Sequence, residues 1–352
     1  MHSGIKTNDR TMKIAYLLRP HCVIEHTNGI KSQALTWAES LRDLGHQVDL
    51  IDFWKDYDWP SYDAVHFFGP DPWANTLRAH LYRRNPRMVY SPIADPSPYH
   101  ESRGQRWQKH LSNLTRGKFR SNLYEIRREF QHYKRVLVRT DHEGDMLQRL
   151  YDVEPERIVK VPLSFSHGLR TDLASDEREP FVLHISLFTQ PRKNVARLVD
   201  AAKKYGFRLV IAGNPGTADG LSDMMSRIGG ADNISVLGFV SEERKQELYG
   251  RARVFALPSL SEGVGIVAVD AAAMGCDIVV TDIGGPKEYY VGADGRYMAE
   301  VVDPYDVDAI GRACMRLLEG RTWQPQLSEC VVRNYSPEAI ARRLVDVYRS
   351  LS

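Results

Sequence analysis

The strongest constraint on the fold is a regular alternation of short apolar runs with amphipathic stretches along all 352 residues. Residues 13–18 read as a buried strand, closed by Arg19 and Pro20. Residues 32–44 read as a helix, with Ala34, Trp37, Leu41 and Leu44 on one stripe at helical spacing. Gly45 then stops it, as glycine does just past a helix end. Residues 47–53, 64–68, 88–91 and 135–139 are further strand candidates. The second half repeats the grammar, with strands at 181–185, 208–212, 234–237, 254–257 and 277–281 and helices at 196–204, 221–228 and 242–251. Strands separated by helices predict parallel pairing through right-handed crossovers. The expected class is therefore α/β, with two Rossmann-like, doubly wound domains.

Length and composition agree. A chain of this size with 43% hydrophobic residues can bury two cores. The expected division is an N-terminal, acceptor-side domain over 12–163, a Ser/Asp/Arg-rich linker over 164–179 and a C-terminal domain over 180–335. A closing helix over 336–352 starts with Ser336 as N-cap and Pro337 after it. The formal net charge of +2 excludes a chain that binds polyanions with its whole surface. Cys22, Cys276, Cys314 and Cys330 have no short paired spacing, which argues against a zinc site or disulfide framework and for a reducing compartment. Residues 1–13 are polar and no run approaches the roughly 20 apolar residues needed to span a bilayer. The expected location is cytoplasmic, at most on a membrane surface.

In open α/β sheets ligands bind beyond the carboxyl ends of the strands, so the loops there carry the chemistry. One loop stands out. Residues 258–275, Pro-Ser-Leu-Ser-Glu-Gly-Val-Gly-Ile-Val-Ala-Val-Asp-Ala-Ala-Ala-Met-Gly, follow a strand and open a helix. Gly263 and Gly265 remove side chains where the helix begins, exposing backbone N–H groups suited to an anion. Glu262 and Asp270 are eight residues apart and offer carboxylate oxygens to sugar or ribose hydroxyls. A purely structural glycine turn with Glu262 as a solvated cap satisfies the same pattern.

This stretch resembles the motif of retaining GT-B glycosyltransferases, glycosyltransferase family 4 above all: Pro-Ser, Glu-Gly-x-Gly, a second acid after seven residues, then Ala-x-Ala/Met-x-Gly. Residues 280–288 (Val-Thr-Asp-Ile-Gly-Gly-Pro-Lys-Glu), 234–251 and Arg192-Lys193-Asn194 are similar to further stretches of that family. So are Asn28-Gly29-Ile30 and the residues 44–48, Leu-Gly-His-Gln-Val. The resemblance implies two domains facing across a cleft, with the closing helix crossing back to the first. It implies that Glu262 contacts the donor sugar and that Gly263, Val264, Gly265 and Ile266 hold sugar and phosphate by their backbone. It further implies that Asp270 binds the ribose, that Arg192 and Lys193 neutralise the diphosphate, and that Gly29 and Gly213 belong to the donor-binding set. The implied reaction is metal-independent, retaining transfer from a UDP- or GDP-sugar to a glycan or lipid-linked acceptor, without a cofactor. Three positions depart from the family pattern: the second acid is Asp270, not Glu; Phe188 stands where an Arg is usual; and residues 91–95 contain no His.

The acceptor is less constrained. Residues 101–140 hold eleven basic residues against three acids, interleaved with Trp107, Phe119, Tyr124, Phe130 and Tyr133. A solvated helical face, an anionic membrane surface or lipid-diphosphate acceptor, and a nucleic-acid acceptor such as a modified base all fit that composition. Of the two Asp-x-Asp strings, the one at 306–308 reads as an N-cap and acidic first turn. The one at 56–58 lies in a Trp/Tyr-rich loop, and neither is expected to hold a metal. No Gly-x-Gly-x-x-Gly follows a strand, which weakens a dinucleotide-binding dehydrogenase. A non-catalytic nucleotide-sugar-binding protein is the other competing class.

Overall fold

The computed structural model describes residues 10–19, 29–70, 75–94, 126–128, 130–166, 168–171 and 177–351. Its first half contains strands β1 (Lys13–Leu18), β2 (Gln47–Leu50), β3 (Ala64–Phe68), β4 (Met88–Ser91), β5 (Arg135–Val138) and β6 (Ile158–Lys160). Helices α1 (Gly29–Asp43), α2 (Asn75–Arg84) and α3 (Asp141–Tyr151) lie between them. The second half contains β7 (Glu179–Ile185), α4 (Val195–Tyr205), β8 (Leu209–Ala212), α5 (Ala218–Ile228), β9 (Ile234–Gly238), α6 (Glu242–Arg251) and β10 (Ala252–Leu257). It continues with α7 (Ile266–Ala273), β11 (Asp277–Thr281), β12 (Glu300–Val302), α8 (Val307–Leu318), α9 (Gln326–Tyr335) and α10 (Pro337–Arg349).

Each half builds a six-stranded sheet, ordered β2-β1-β3-β4-β5-β6 and β12-β11-β10-β7-β8-β9. Every pairing within the two sheets is parallel. A parallel sheet must be covered on both faces. Strands β3, β8 and β11 show the result, since all their residues are buried, the polar His66, Asp277 and Thr281 included. In both sheets the winding direction reverses beside the first strand, between β1 and β3 and between β7 and β10. At such a reversal the two adjacent loops diverge to opposite faces and leave a crevice at the carboxyl edge.

Sequence periodicity locates most elements to within two residues. The expected strand over 47–53 ends at Leu50, because Asp52 starts a turn: its carboxylate accepts Trp54 N at 3.1 Å and its carbonyl accepts Lys55 N at 3.1 Å. Strands β6 and β12 have three residues each, too few to show a period.

The chain's end returns to the first sheet. Ser336 caps α10 by accepting Ala339 N at 3.2 Å. Ile340, Leu344 and Tyr348 of α10 share one buried cluster with Ile14, Trp37 and Leu41. The Tyr348 hydroxyl lies 2.9 Å from that of Tyr16 and 2.8 Å from Nδ1 of His66, whose Nε2 lies 2.8 Å from Ser91 Oγ. Further contacts link the halves. The Glu288 carboxylate, after β11, accepts Asp141 N and His142 N at the start of α3, at 2.7 and 2.9 Å, and the Lys160 ammonium at 2.7 Å.

Candidate functional site

The crevice of the second sheet brings together the residues on which the sequence motif rests. The loop after β7 ends in a single 3-10 turn, Pro191–Lys193, closed by Asn194 in the left-handed region at φ 59°. Asn is among the few side chains that tolerate that conformation. Here the amide is a clasp: Nδ2 donates to Pro258 O at 2.8 Å and Pro304 O at 2.6 Å, and Oδ1 accepts Arg197 Nη1 at 2.8 Å. Leu260 N donates to Arg192 O at 2.8 Å, so the loops after β7 and β10 are stitched along their backbones.

That stitching aims the charged side chains at one another. The Lys193 ammonium donates to Glu262 Oε2, both side chains being about nine-tenths buried, and Arg192 Nη1 lies 3.8 Å from the same oxygen. Arg192 is the more exposed cation, its guanidinium reaching Gln190 Oε1 at 3.1 Å and Ser261 O at 3.4 Å.

Behind this trio the backbone makes an anion-ready helix start. Gly265 precedes α7 at φ 76°, and a Cβ there would lie 2.5 Å from Leu257 Cδ2, so only glycine fits without displacement. No side chain caps this end, leaving the first N–H groups of α7 beside Glu262 unclaimed by a cap. Gly263, Val264 and Gly265 are buried and Ile266 is partly so. Gly213 sits at the tip of β8 with N donating to Gly238 O at 2.8 Å; a Cβ there would meet Ser186 O at 2.1 Å. Gly213 thus lets the next loop lie directly on the rim.

Beneath the rim is His184, fully buried in β7. Its Nδ1 lies 2.7 Å from Ala256 O, a pure acceptor, so Nδ1 carries the proton and Nε2 accepts from Ser186 Oγ at 2.7 Å. Burial, with the Lys193 charge adding to it, lowers its pKa to about 4 and keeps it neutral.

Asp270 sits elsewhere. It is buried in α7, and its two oxygens accept Ser166 N and Ser166 Oγ, both at 2.7 Å. Burial raises its pKa, against the opposing effect of the Ser166 bonds. Spacing suggests two carboxylates facing one side, but Glu262 and Asp270 reach different partners. Each oxygen of Asp270 already accepts one bond from Ser166, so a ribose there would share the carboxylate with Ser166 or displace it. Gly29 opens α1 in the first half, exposed and with open space where a Cβ would point.

Sequence reasoning missed Asn194 as a clasp, although an Asn between a basic turn and a helix is the available signal. It also missed Ser166, inside the stretch read as a structureless linker, and Glu288 as a bridge. At Asp306 the reading holds: the carboxylate caps α8, accepting Asp308 N and Ala309 N at 2.8 and 3.0 Å. Among the described residues there is no cluster of three potential metal ligands and no helix long and apolar enough to cross a membrane. In the basic stretch, 101–125 and Glu129 lie outside the described residues. Of the rest, Arg127 pairs with Asp152 at 2.5 Å, Lys134 donates to Leu351 O at 2.6 Å and Arg139 pairs with buried Glu143. These cations hold the fold together internally.

Comparison with known proteins gives three findings. The family described as glycosyl transferases group 1 matches residues 168–344. The D-inositol 3-phosphate glycosyltransferase of Mycobacteroides abscessus is 31% identical over 172 residues, 43% of this chain and 37% of that protein. The chain spans about half or less of the length of the curated relatives it matches. Among solved structures, sucrose-phosphate synthase from Thermosynechococcus elongatus aligns with TM-score 0.69 at 17% identity, over 96% of this chain and 99% of that one. The UDP complex of HepE from Anabaena aligns with TM-score 0.68 at 13% identity, over 96% and 100%. At such identities these likenesses establish the fold, which is GT-B.

Proposed function

This chain belongs to the glycosyl transferases group 1, and from that premise we propose that it moves a hexose from a UDP- or GDP-sugar to a glycan or lipid-linked acceptor with retention of configuration. The observation that carries the reading is the convergence of Lys193, Arg192 and Glu262 on one point at the start of α7, in the crevice where the second sheet reverses. Two relatives add weight: the M. abscessus protein is named a glycosyltransferase, and the Anabaena structure holds UDP.

Each group has a task. Breaking the anomeric C–O bond leaves an electron-poor sugar and loads negative charge onto the departing diphosphate. Preorganised cations and aimed N–H groups at that charge are commonly the largest catalytic contribution. Lys193 supplies a compact charge and Arg192 a planar fork. The uncapped N–H groups of α7 supply the rest. Glu262 then exchanges its lysine partner for sugar hydroxyls, which fixes the ring. In a same-face transfer the acceptor oxygen bonds to the anomeric carbon as the C–O bond to diphosphate breaks. The acceptor's proton passes to the leaving phosphate oxygen, so no protein nucleophile and no metal are required.

The experiment is a screen of UDP- and GDP-sugars for thermal stabilisation, followed by donor hydrolysis with and without chelator. Stabilisation and slow hydrolysis that survive chelation are expected. Binding without turnover, under any acceptor tried, makes the chain a sugar-nucleotide binder; loss of turnover on chelation removes the metal-free mechanism.

A further inference from the structure

The two halves grip each other beside the donor loop. After β11 the chain makes a short 3-10 turn, Pro286–Tyr290. Together with Gly285, this turn holds residues 139–142 of the first half, where α3 begins. The Tyr289 hydroxyl donates to Arg139 O at 3.3 Å. Glu288 accepts Asp141 N at 2.7 Å and His142 N at 2.9 Å, one on each carboxylate oxygen. At Gly285 a Cβ would lie 2.4 Å from Thr140 Cγ2 and 2.5 Å from Gly263 O. The start of α3, the turn after β11 and the donor loop therefore meet at one point, with no room there for a methyl group.

Helix chemistry explains why the grip uses a carboxylate. A helix start exposes N–H groups and carries partial positive charge. Thr140 caps α3 by accepting Glu143 N at 3.1 Å. The N–H groups of Asp141 and His142 are left over, and the second half supplies their acceptor. The Lys160 ammonium adds a third bond to Glu288 at 2.7 Å, and it also pairs with Asp141 at 2.8 Å. Charge-assisted bonds are the stronger kind, and Glu288 gathers three of them on a side chain only 17% exposed. A contact that served the fold alone could lie anywhere between the halves; this one lies against Gly263. We propose that Glu288 is a positioning residue for donor turnover: it holds the start of α3 against the loop that carries Glu262 and Gly263, and so slows the escape of bound nucleotide. Glu288 acts through α3. The proposal rests on the glycosyl-transfer reading above.

The test uses the full chain and two fluorescent probes, mant-UDP and mant-GDP, chased with unlabelled nucleotide in stopped flow. Glu288→Ala should release the bound probe about tenfold faster, the size of one charge-assisted bond lost. Glu288→Gln, whose amide oxygen keeps one acceptor, should have a smaller effect. Lys160→Met, which leaves both backbone bonds in place, should have the least. Should Glu288→Ala fail to fold, the ordered pair Glu288→Gln and Lys160→Met carries the same test. A lowered melting temperature with release at the wild-type rate makes Glu288 a fold contact only and overturns the proposal. Small-angle scattering without nucleotide reads the joint independently: the radius of gyration should rise in Glu288→Ala or Glu288→Gln, and an unchanged value also overturns it. Wild-type protein that binds neither probe sinks the transfer reading, and the scattering then decides by itself whether Glu288 sets how the halves face each other.

Discussion

The two halves share an architecture and differ in what they place at the reversal of the sheet. In the second half the loops after β7 and β10 are locked by Asn194 and by a backbone bond, and they hold an ion pair over an uncapped helix start. In the first half the corresponding crevice is walled by Leu18, Phe67, Phe68 and Phe53, with Arg78 lying over the Phe67 and Tyr90 rings at 5.6 and 5.8 Å. The buried histidines repeat the contrast. His184 is held by Ala256 of the neighbouring strand and by Ser186 just past its own, next to the loops after β7 and β10. His66 is held by Ser91 and by Tyr348, at the far end of the chain. One half gathers its polar groups at the crevice, the other uses them to close the protein. The parallel fold supplies a crevice in both; loop side chains decide its chemistry.

Four changes break or sharpen that contrast. The largest effect is expected from Lys193→Ala, which should cut donor turnover about 100- to 1000-fold, the usual result of removing one charge-stabilising donor, with a lowered melting temperature, since Glu262 stays buried with only Arg192 3.8 Å away, but with the fold retained. Steady-state kinetics beside a thermal melt decide it; an unchanged rate would remove Lys193 from the reaction. Next, Tyr348→Phe takes a partner from both Tyr16 and His66 in a dry interior. It should cost about 1–3 kcal/mol of stability, seen in chemical denaturation, while nucleotide-sugar affinity stays put. If affinity falls equally, the halves are not separable in function.

Acid should test the histidines together. Burial holds both imidazoles below their ordinary value, His184 to about 4 and His66 well below 6.5. Their folded-state pKa is depressed, so their contribution is complete above about pH 6.5 and is lost as pH falls from there toward the folded values. Each should add a slope of about 1.4 kcal/mol per pH unit in that window. Unfolding midpoints at pH 7, 6 and 5 should therefore fall progressively, and less so in a His184→Gln variant. A flat profile contradicts the burial argument. The smallest effect is expected from Ser166→Ala, which removes one of the two bonds to Asp270 and should cost about 1 kcal/mol. If that variant binds donor more tightly, Ser166 was competing with the ribose for the carboxylate.

Legibility followed the range of the signal. Strands β3, β4 and β11 were readable because they are short runs dominated by apolar residues, with His66 alone interrupting β3 and polar residues only at the ends of β4 and β11, and α6 because its charge and apolar stripe fit a helix over the residues observed. The glycine turn was readable because Gly265 satisfies a local backbone need. Glu262 and Lys193 were marked as candidates by motif, but their meeting across 69 residues was not visible in any window. Ser166 reached Asp270 across 104 residues from a stretch with no periodicity at all, and Glu288 reached α3 across 147.

The sequence by itself determined the class of fold, the parallel order of its elements and the residue types available for anion and sugar chemistry, since these follow from periodicity, backbone sterics and side-chain charge. Only the tertiary structure decided which groups meet: that Glu262 faces Lys193 while Asp270 faces Ser166, and that the last helix closes on the first sheet. Burial, desolvation and hydrogen-bond competition act on contacts made after the chain has folded back, and a linear pattern does not encode those distances.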